Sequence, residues 1–308
     1  MAFSPSYIKL YETGELKNRI DIAYSMLADC RLCPRECGIN RLEGEKGFCK
    51  AGELAMVSSV CPHFGEEPPL VGRHGSGTIF FTNCNLDCIF CQNYDISHLG
   101  KGKEIDTSQL ANAILSLQNL GCHNINFVTP THYAPQILKA LFVAIEDGLV
   151  VPLVYNCGGY ESLEIIKLLD GIIDIYMPDI KYGDNDMAER YSKAKGYFDV
   201  AKSVITEMYR QVGDLSINKN GIAEKGLLVR HLVMPDSISG TEKALDFIAS
   251  LSKNTYLNIM DQYRPQYKAY DYPKINRRIT SEEFEKAIFL AKKAGLTRGF
   301  DHVRRRWF

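Results

Sequence analysis

Residues 77–93 read GTIFFTNCNLDCIFCQN, a short apolar run followed at once by three cysteines, Cys84, Cys88 and Cys91. The run is rich in aromatic and β-branched residues and bounded by polar ones, as in a buried strand. The thiols come with gaps of three and two residues, on the loop that leaves the carboxyl end of that strand.

Further along the chain the same unit recurs. NINFV (124–128), VPLVY (151–155), IIDIYM (172–177), LLVRHLV (227–233) and TYLNIM (255–260) read as strands. Between and after them, TSQLANAILSLQNL (107–120), APQILKALFVAIEDG (134–148), SLEIIKLLDG (162–171), two stretches around 184–212, TEKALDFIASLS (241–252) and SEEFEKAIFLAKKAG (281–295) carry helical periodicity. The 107–120 helix is expected to open on a hydroxyl cap. Six strand-then-helix units require a parallel sheet, because strands running the same way need crossover connections. Alternation alone leaves two architectures, an open doubly wound sheet and an incomplete barrel. Both put the ligand at the carboxyl ends of the strands, where the three-cysteine loop begins.

Four thiolates complete the protein ligation of a cubane iron–sulfur cluster; three leave one iron open. The same logic keeps one position free on a catalytic zinc. The alternative is a zinc knuckle with a distant fourth ligand, His98 or His123.

CNLDCIFCQN resembles the C-x3-C-x2-C signature of radical S-adenosylmethionine enzymes, with the aromatic Phe90 before the third cysteine. The resemblance implies a [4Fe-4S] cluster on Cys84, Cys88 and Cys91, whose open iron chelates S-adenosylmethionine. It further implies reductive cleavage to methionine and a 5′-deoxyadenosyl radical, with an electron donor such as flavodoxin or ferredoxin. The family fold is a partial (β/α)6 TIM-like barrel, in agreement with the six units; here it carries a small Cys-rich N-terminal extension.

Several segments are similar to the branch that includes pyruvate formate-lyase activating enzymes. CQNYDIS, with Asn93, follows the cysteines, and MPDIKYGD supplies Asp179 and Lys181 in that branch's D-x-K element, which contacts S-adenosylmethionine. Two residues apart on extended chain, both side chains point the same way. Asn156, in YNCGGY, stands where those enzymes have a ribose-contacting acid, and Arg230, in VRHLVMP, matches an Arg that meets the methionine carboxylate. His231 should face the opposite side of the strand. After the second strand the family usually has a Gly-Gly-Glu-like element; VTPTHYAP has neither the glycine pair nor the acid, leaving Thr129, Thr131 and backbone carbonyls as acceptors and His132 as a residue that either faces substrate or is structural.

Upstream, Cys30, Cys33, Cys37 and Cys49 form a second thiol group, expected to close a zinc or second iron–sulfur site; the alternative is four packed thiols. CPHFGEEPPLVGRHGSG (61–77) reads as an extended connection. QYRPQYKAYDYPKINRR (262–278) is either an interface or a loop packing Tyr263, Tyr267, Tyr270 and Tyr272 on the open side of the barrel. Cys61, Cys122 and Cys157 read as packed thiols, and HVRRRWF as a basic tail. The expected organisation is 1–75, N-terminal helix and Cys-rich metal-binding segment; 76–278, barrel; 279–308, C-terminal helix and basic tail.

The 308 residues carry 36 basic and 37 acidic side chains, a net charge of -1 that argues against binding nucleic acid. The first twenty residues lack an apolar core and no apolar run spans a bilayer, so a cytoplasmic protein without membrane contact is expected. Three functions follow: activation of a glycyl radical enzyme, direct action on a peptide or small metabolite, and a non-catalytic metal-binding module. The last leaves the open-iron loop at a strand end unexplained.

Overall fold

The computed structural model of the protein describes residues 3–300, and the six apolar runs in it are six parallel strands. In chain order the strands are β1 (Ala55–His63), β2 (Ser76–Phe81), β3 (Lys103–Ile105), β4 (Ile125–Val128), β5 (Leu153–Cys157), β6 (Ile175–Pro178), β7 (Ser216–Ile217), β8 (Ala223–Leu232) and β9 (Tyr256–Met260). The helices are α1 (Tyr7–Glu12), α2 (Glu15–Ser25), α3 (Pro68–Val71), α4 (Tyr94–Ser97), α5 (Thr107–Asn119), α6 (Ala134–Glu146), α7 (Leu163–Leu168), α8 (Asn185–Ser192), α9 (Tyr197–Val212), α10 (Thr241–Leu251) and α11 (Ser281–Lys293).

β2, β4, β5, β6, β8 and β9 pair in that order, all parallel. Among the described residues β9 pairs with β8 and not with β2, so the sheet does not close into a complete barrel. Each strand divides its residues between two cores. Val154, Ile175, Met177, Leu228 and Tyr256 pack on one another inside the lumen, whereas Tyr155, Tyr176, Val229 and Leu257 belong to the outer core under the helices. α1 and α2 are tied to the barrel's outside: the Tyr7 hydroxyl donates to Val151 O at 2.9 Å and Ser6 N–H to Asp174 Oδ1 at 3.0 Å.

Two expectations are corrected. Residues 61–77 are not an extended connection throughout: Cys61–His63 end β1, which runs antiparallel to β2. Without β1 the first parallel strand would be a bare edge, and the strand's pairing groups are satisfied by covering it. The remainder turns through α3 and delivers Leu70 to the floor of the lumen. The cap of α5 is likewise a carboxylate rather than a hydroxyl. Asp106 accepts from Gln109 N–H at 2.8 Å while the Gln109 side chain accepts from Asp106 N–H at 3.0 Å, a reciprocal capping box. Among the described residues no helix is long and apolar enough to cross a membrane.

Candidate active site

The β2 strand ends at Phe81, and the chain then takes a left-handed residue, Asn83 at φ 67°, before the thiol loop. Asn83 N–H is held by Ile96 O at 2.9 Å, and its side chain donates to the Tyr133 hydroxyl at 3.2 Å. This fixed turn aims the loop across the top of the barrel. Cys84 accepts a hydrogen bond from Leu86 N–H at 3.4 Å, Cys88 one from the Ser192 hydroxyl at 3.0 Å, and Cys91 lies 3.1 Å from Ser97 Oγ. Burial pushes the Cys84 thiol well up and the Cys88 thiol up to about 11; the neighbouring thiols push the same way, and Lys181 opposes both. Phe90 is buried between Tyr182 and Tyr263, which anchors the loop from beneath.

The three thiols are close enough to act on one another electrostatically. Yet among the described residues no three His, Cys, Asp or Glu side chains close on the position of one ion. Three thiolates suit a cluster with one thiolate per iron and one iron left open, whereas a closed zinc site would need a fourth ligand. Neither candidate fourth ligand is available. His98 stands 3.1 Å from Asp87 Oδ1 and edge-on to Tyr267, and His123 accepts from Arg73 N–H beyond the opposite end of β2.

Below the thiols the lumen is polar. Asp179 and Lys181 point the same way and pair with each other. Arg230, on the neighbouring strand, donates from Nε to Asp179 Oδ1 and from Nη2 to Asn156 Oδ1, both at 2.7 Å. Its Nη1 faces Glu66 and Glu67 at 3.6 and 3.9 Å. Burial alone would raise the Asp179 carboxyl, but Arg230 and then Lys181 hold it below the usual carboxylate range. Glu66 is the opposite case, pushed up to about 7 by burial, which outweighs the pull of Arg230 and is reinforced by Glu67 and Asp179. Glu67 Oε1 accepts from Asn258 at 2.8 Å, while Glu67 Oε2 is buried without a hydrogen-bond partner among the described residues, and the Asn126 carboxamide stands beside the Glu66 carboxyl.

Strand parity sorts the remaining residues. His231 does face away from the lumen, bonded to Ile180 O and the Thr241 hydroxyl. Thr129 follows β4 at φ 59°, a strained conformation for a β-branched residue, with its half-buried hydroxyl unbonded among the described residues. Thr131 does not share that exposure to the site: its hydroxyl donates to Glu161 at 2.9 Å, on the outer side with the Tyr155 hydroxyl and Cys157. His132 is structural, with Nε2 on Thr82 O and the ring fully buried and held neutral by that burial. Asn93 is exposed at the start of α4 and does not cap that helix through its side chain. Arg230, expected to meet a ligand carboxylate, is already surrounded by protein acceptors.

Tyr197 was not legible as a site residue. Its hydroxyl accepts from Lys181 N–H at 2.8 Å and donates toward Gly158 O and Asp179 O, pinning the Asp179–Lys181 turn. Gly159, at φ 75°, lies so near Asp179 O that an added Cβ would stand 2.4 Å from it. The tyrosine-rich segment covers the loop: Tyr263 packs on Phe90, Tyr267 stacks on Tyr94 at 5.2 Å, and Lys268 N–H donates to Ile89 O. Tyr270 alone of the four is strongly exposed. The basic tail lies outside the described residues.

A profile of the Radical SAM superfamily matches residues 78–223. The chain is 39% identical over 293 residues to uncharacterized protein MJ0674 of Methanocaldococcus jannaschii, covering 92% of this chain and 80% of that protein. Uncharacterized protein MJ0808 of the same organism is 24% identical, covering 86% and 81%. Two solved structures are similar to the chain at 13% identity and TM-score 0.48: a radical SAM methyltransferase from Sphaerobacter thermophilus and HydG, a maturase of the [FeFe]-hydrogenase. They align over 72% and 71% of this chain, which spans 65% and 49% of theirs, less than two thirds of either.

Proposed function

The chain belongs to the radical S-adenosylmethionine superfamily, and on that premise we propose that it activates a partner protein by taking hydrogen from a glycine, as glycyl radical activases do. The observation that carries this reading is the Asp179–Lys181 turn. It resembles the activase D-x-K element, faces the lumen, and sets an ammonium within electrostatic reach of Cys84 and Cys88.

Cys84, Cys88 and Cys91 would hold the [4Fe-4S] cluster, with S-adenosylmethionine over the polar lumen. When bound, the pair supplies one-electron cleavage of a carbon–sulfur bond and hydrogen-atom abstraction, with the electron coming from a donor of the flavodoxin or ferredoxin class. The protein's part is position and exclusion of water. Lys181 offers an ammonium to an anionic group, the Thr129 hydroxyl is free to donate or accept, and Asn156 Oδ1 is already committed to Arg230. The Tyr263–Tyr267 cover keeps solvent from the thiol loop.

A second reading, direct action on a peptide or small metabolite, is favoured by the unpartnered Glu67 Oε2, a buried polar atom that suits a small polar ligand inside the lumen. Anaerobic reconstitution followed by reduction tests both levels. The wild type should form 5′-deoxyadenosine, and the Cys84→Ala, Cys88→Ala, Cys91→Ala variant none. Undiminished product from that variant would remove the thiol loop from the chemistry. Activation should also leave a glycyl radical signal in electron paramagnetic resonance on a partner encoded in the same genome. Product formation without that signal on any such partner leaves the second reading.

A further inference from the structure

The upstream thiols sit on a folded knuckle. Cys30 N–H donates to Ile39 O at 2.9 Å, Gly38 N–H to Cys30 O at 3.2 Å, and Glu36 N–H to Cys33 O at 3.1 Å, so residues 30–39 turn back on themselves. The return arm docks against this turn at Gly47, where an added Cβ would stand 2.8 Å from Cys37 Sγ. Cys49 then lies within electrostatic reach of Cys30 and Cys37, and Cys33 within reach of Cys37 and Cys49. Arg35 N–H stands near the Cys33 sulfur and Ala51 N–H near the Cys49 sulfur. Each is two residues on, the arrangement Leu86 N–H has with Cys84. All four thiols are free of disulfides.

Arg41 is the second, independent observation. Its side chain is fully buried, with Nε and Nη2 on Gly52 O and Nη1 on His132 O at 2.7 Å. Among the described residues it pairs with no carboxylate, and the thiol of Cys49 is within its electrostatic reach. A guanidinium does not shed its proton on burial, and a buried charge without a counter-charge is costly. Four neutral thiols cannot balance it. Four thiolates on a metal carry net negative charge and can.

We propose that Cys30, Cys33, Cys37 and Cys49 ligate a second metal centre, zinc or an iron–sulfur cluster, with Arg41 as its buried counter-charge. Among the described residues the thiols do not already close on one ion, so ligation draws them inward. The centre braces the first thiol loop through Arg35, which donates to Asn85 O at 3.0 Å and to Lys193 O, with its guanidinium 3.7 Å above the Phe48 ring.

The test uses the full-length Cys84→Ala, Cys88→Ala, Cys91→Ala variant, which lacks the first set of ligands. It is loaded anaerobically with zinc, or with iron and sulfide, and its metal is measured after gel filtration. About one centre per chain is expected, with thiolate-to-iron absorption identifying the cluster form and its absence the zinc form. Arg41→Met in that background should weaken retention against a chelator at least tenfold. A folded variant that stays metal-free after both loadings overturns the proposal. Alkylation of the native loaded variant gives a readout that needs no further thiol substitution. Half-buried Cys37 and Cys49 should react only after chelation, with half-buried Cys61 reacting throughout as the control. Equal reaction of Cys37 and Cys49 with and without chelator would likewise refute it.

Discussion

Tyr197→Phe isolates the contribution of one hydroxyl to the geometry of the site. The ring is fully buried, edge-on to Tyr182 at 5.6 Å and stacked on Tyr160 at 6.1 Å, and a phenylalanine keeps both contacts. What disappears is the acceptor for Lys181 N–H at 2.8 Å and the donor shared by Gly158 O and Asp179 O. A buried N–H left without a partner costs about 1–3 kcal/mol, whereas an under-satisfied carbonyl is tolerated more easily. The variant should therefore lose about 1–3 kcal/mol, on the order of 1.5–5 °C in melting temperature for a chain of this size. The same freedom in the Asp179–Lys181 turn should weaken S-adenosylmethionine binding several-fold while iron content is unchanged. Thermal denaturation of iron-free protein measures the first effect, and equilibrium binding to the reconstituted protein the second. Tyr160→Phe is the control, because its hydroxyl only donates, to Lys195 O, and its loss strands no N–H. Equal destabilisation of the two variants would refute the assignment of Tyr197 as the pin of this turn.

Arg230→Met should destabilise the protein by about 3–5 kcal/mol, since it removes the cation nearest Glu66 and Glu67 and leaves Asp179 with Lys181 alone. A loss below about 1 kcal/mol in urea denaturation would mean that these carboxylates are solvated rather than paired. Glu66→Gln tests the raised carboxyl. Glutamate ordinarily titrates at 4.5, and Glu66 in the folded protein titrates at about 7, so between those pH values the folded state keeps a proton that the unfolded state has lost. Wild-type stability should therefore fall relative to the variant as pH rises from 4.5 to 7 and then run parallel to it, a relative change on the order of 3 kcal/mol. A pH-independent difference between the two denaturation series would show that Glu66 is not the group responsible.

The strand–helix order, the three-thiol loop on the first parallel strand, and the shared direction of Asp179 and Lys181 are local properties of the chain. Hydrophobic period and side-chain alternation depend on residues only a few positions apart, so they are readable without the fold. The same parity rule separates Arg230 from His231. Other features depend on segments far apart in sequence. Glu66 and Glu67 lie in a stretch with the composition of a connection, and only the antiparallel β1 and the short α3 carry them under Arg230, more than 160 residues away. Nothing near Tyr197 announces that its hydroxyl meets Lys181 N–H, because that bond joins the start of α9 to the turn after β6. Thr131 was readable as a polar residue beside the site, but which way its hydroxyl turns is decided by Glu161, thirty residues on. Arg41 is the clearest case. In sequence it is one more cation in a charged, cysteine-rich segment, and only packing shuts it away from water and carboxylates alike, turning an ordinary surface residue type into a buried charge that needs an anion.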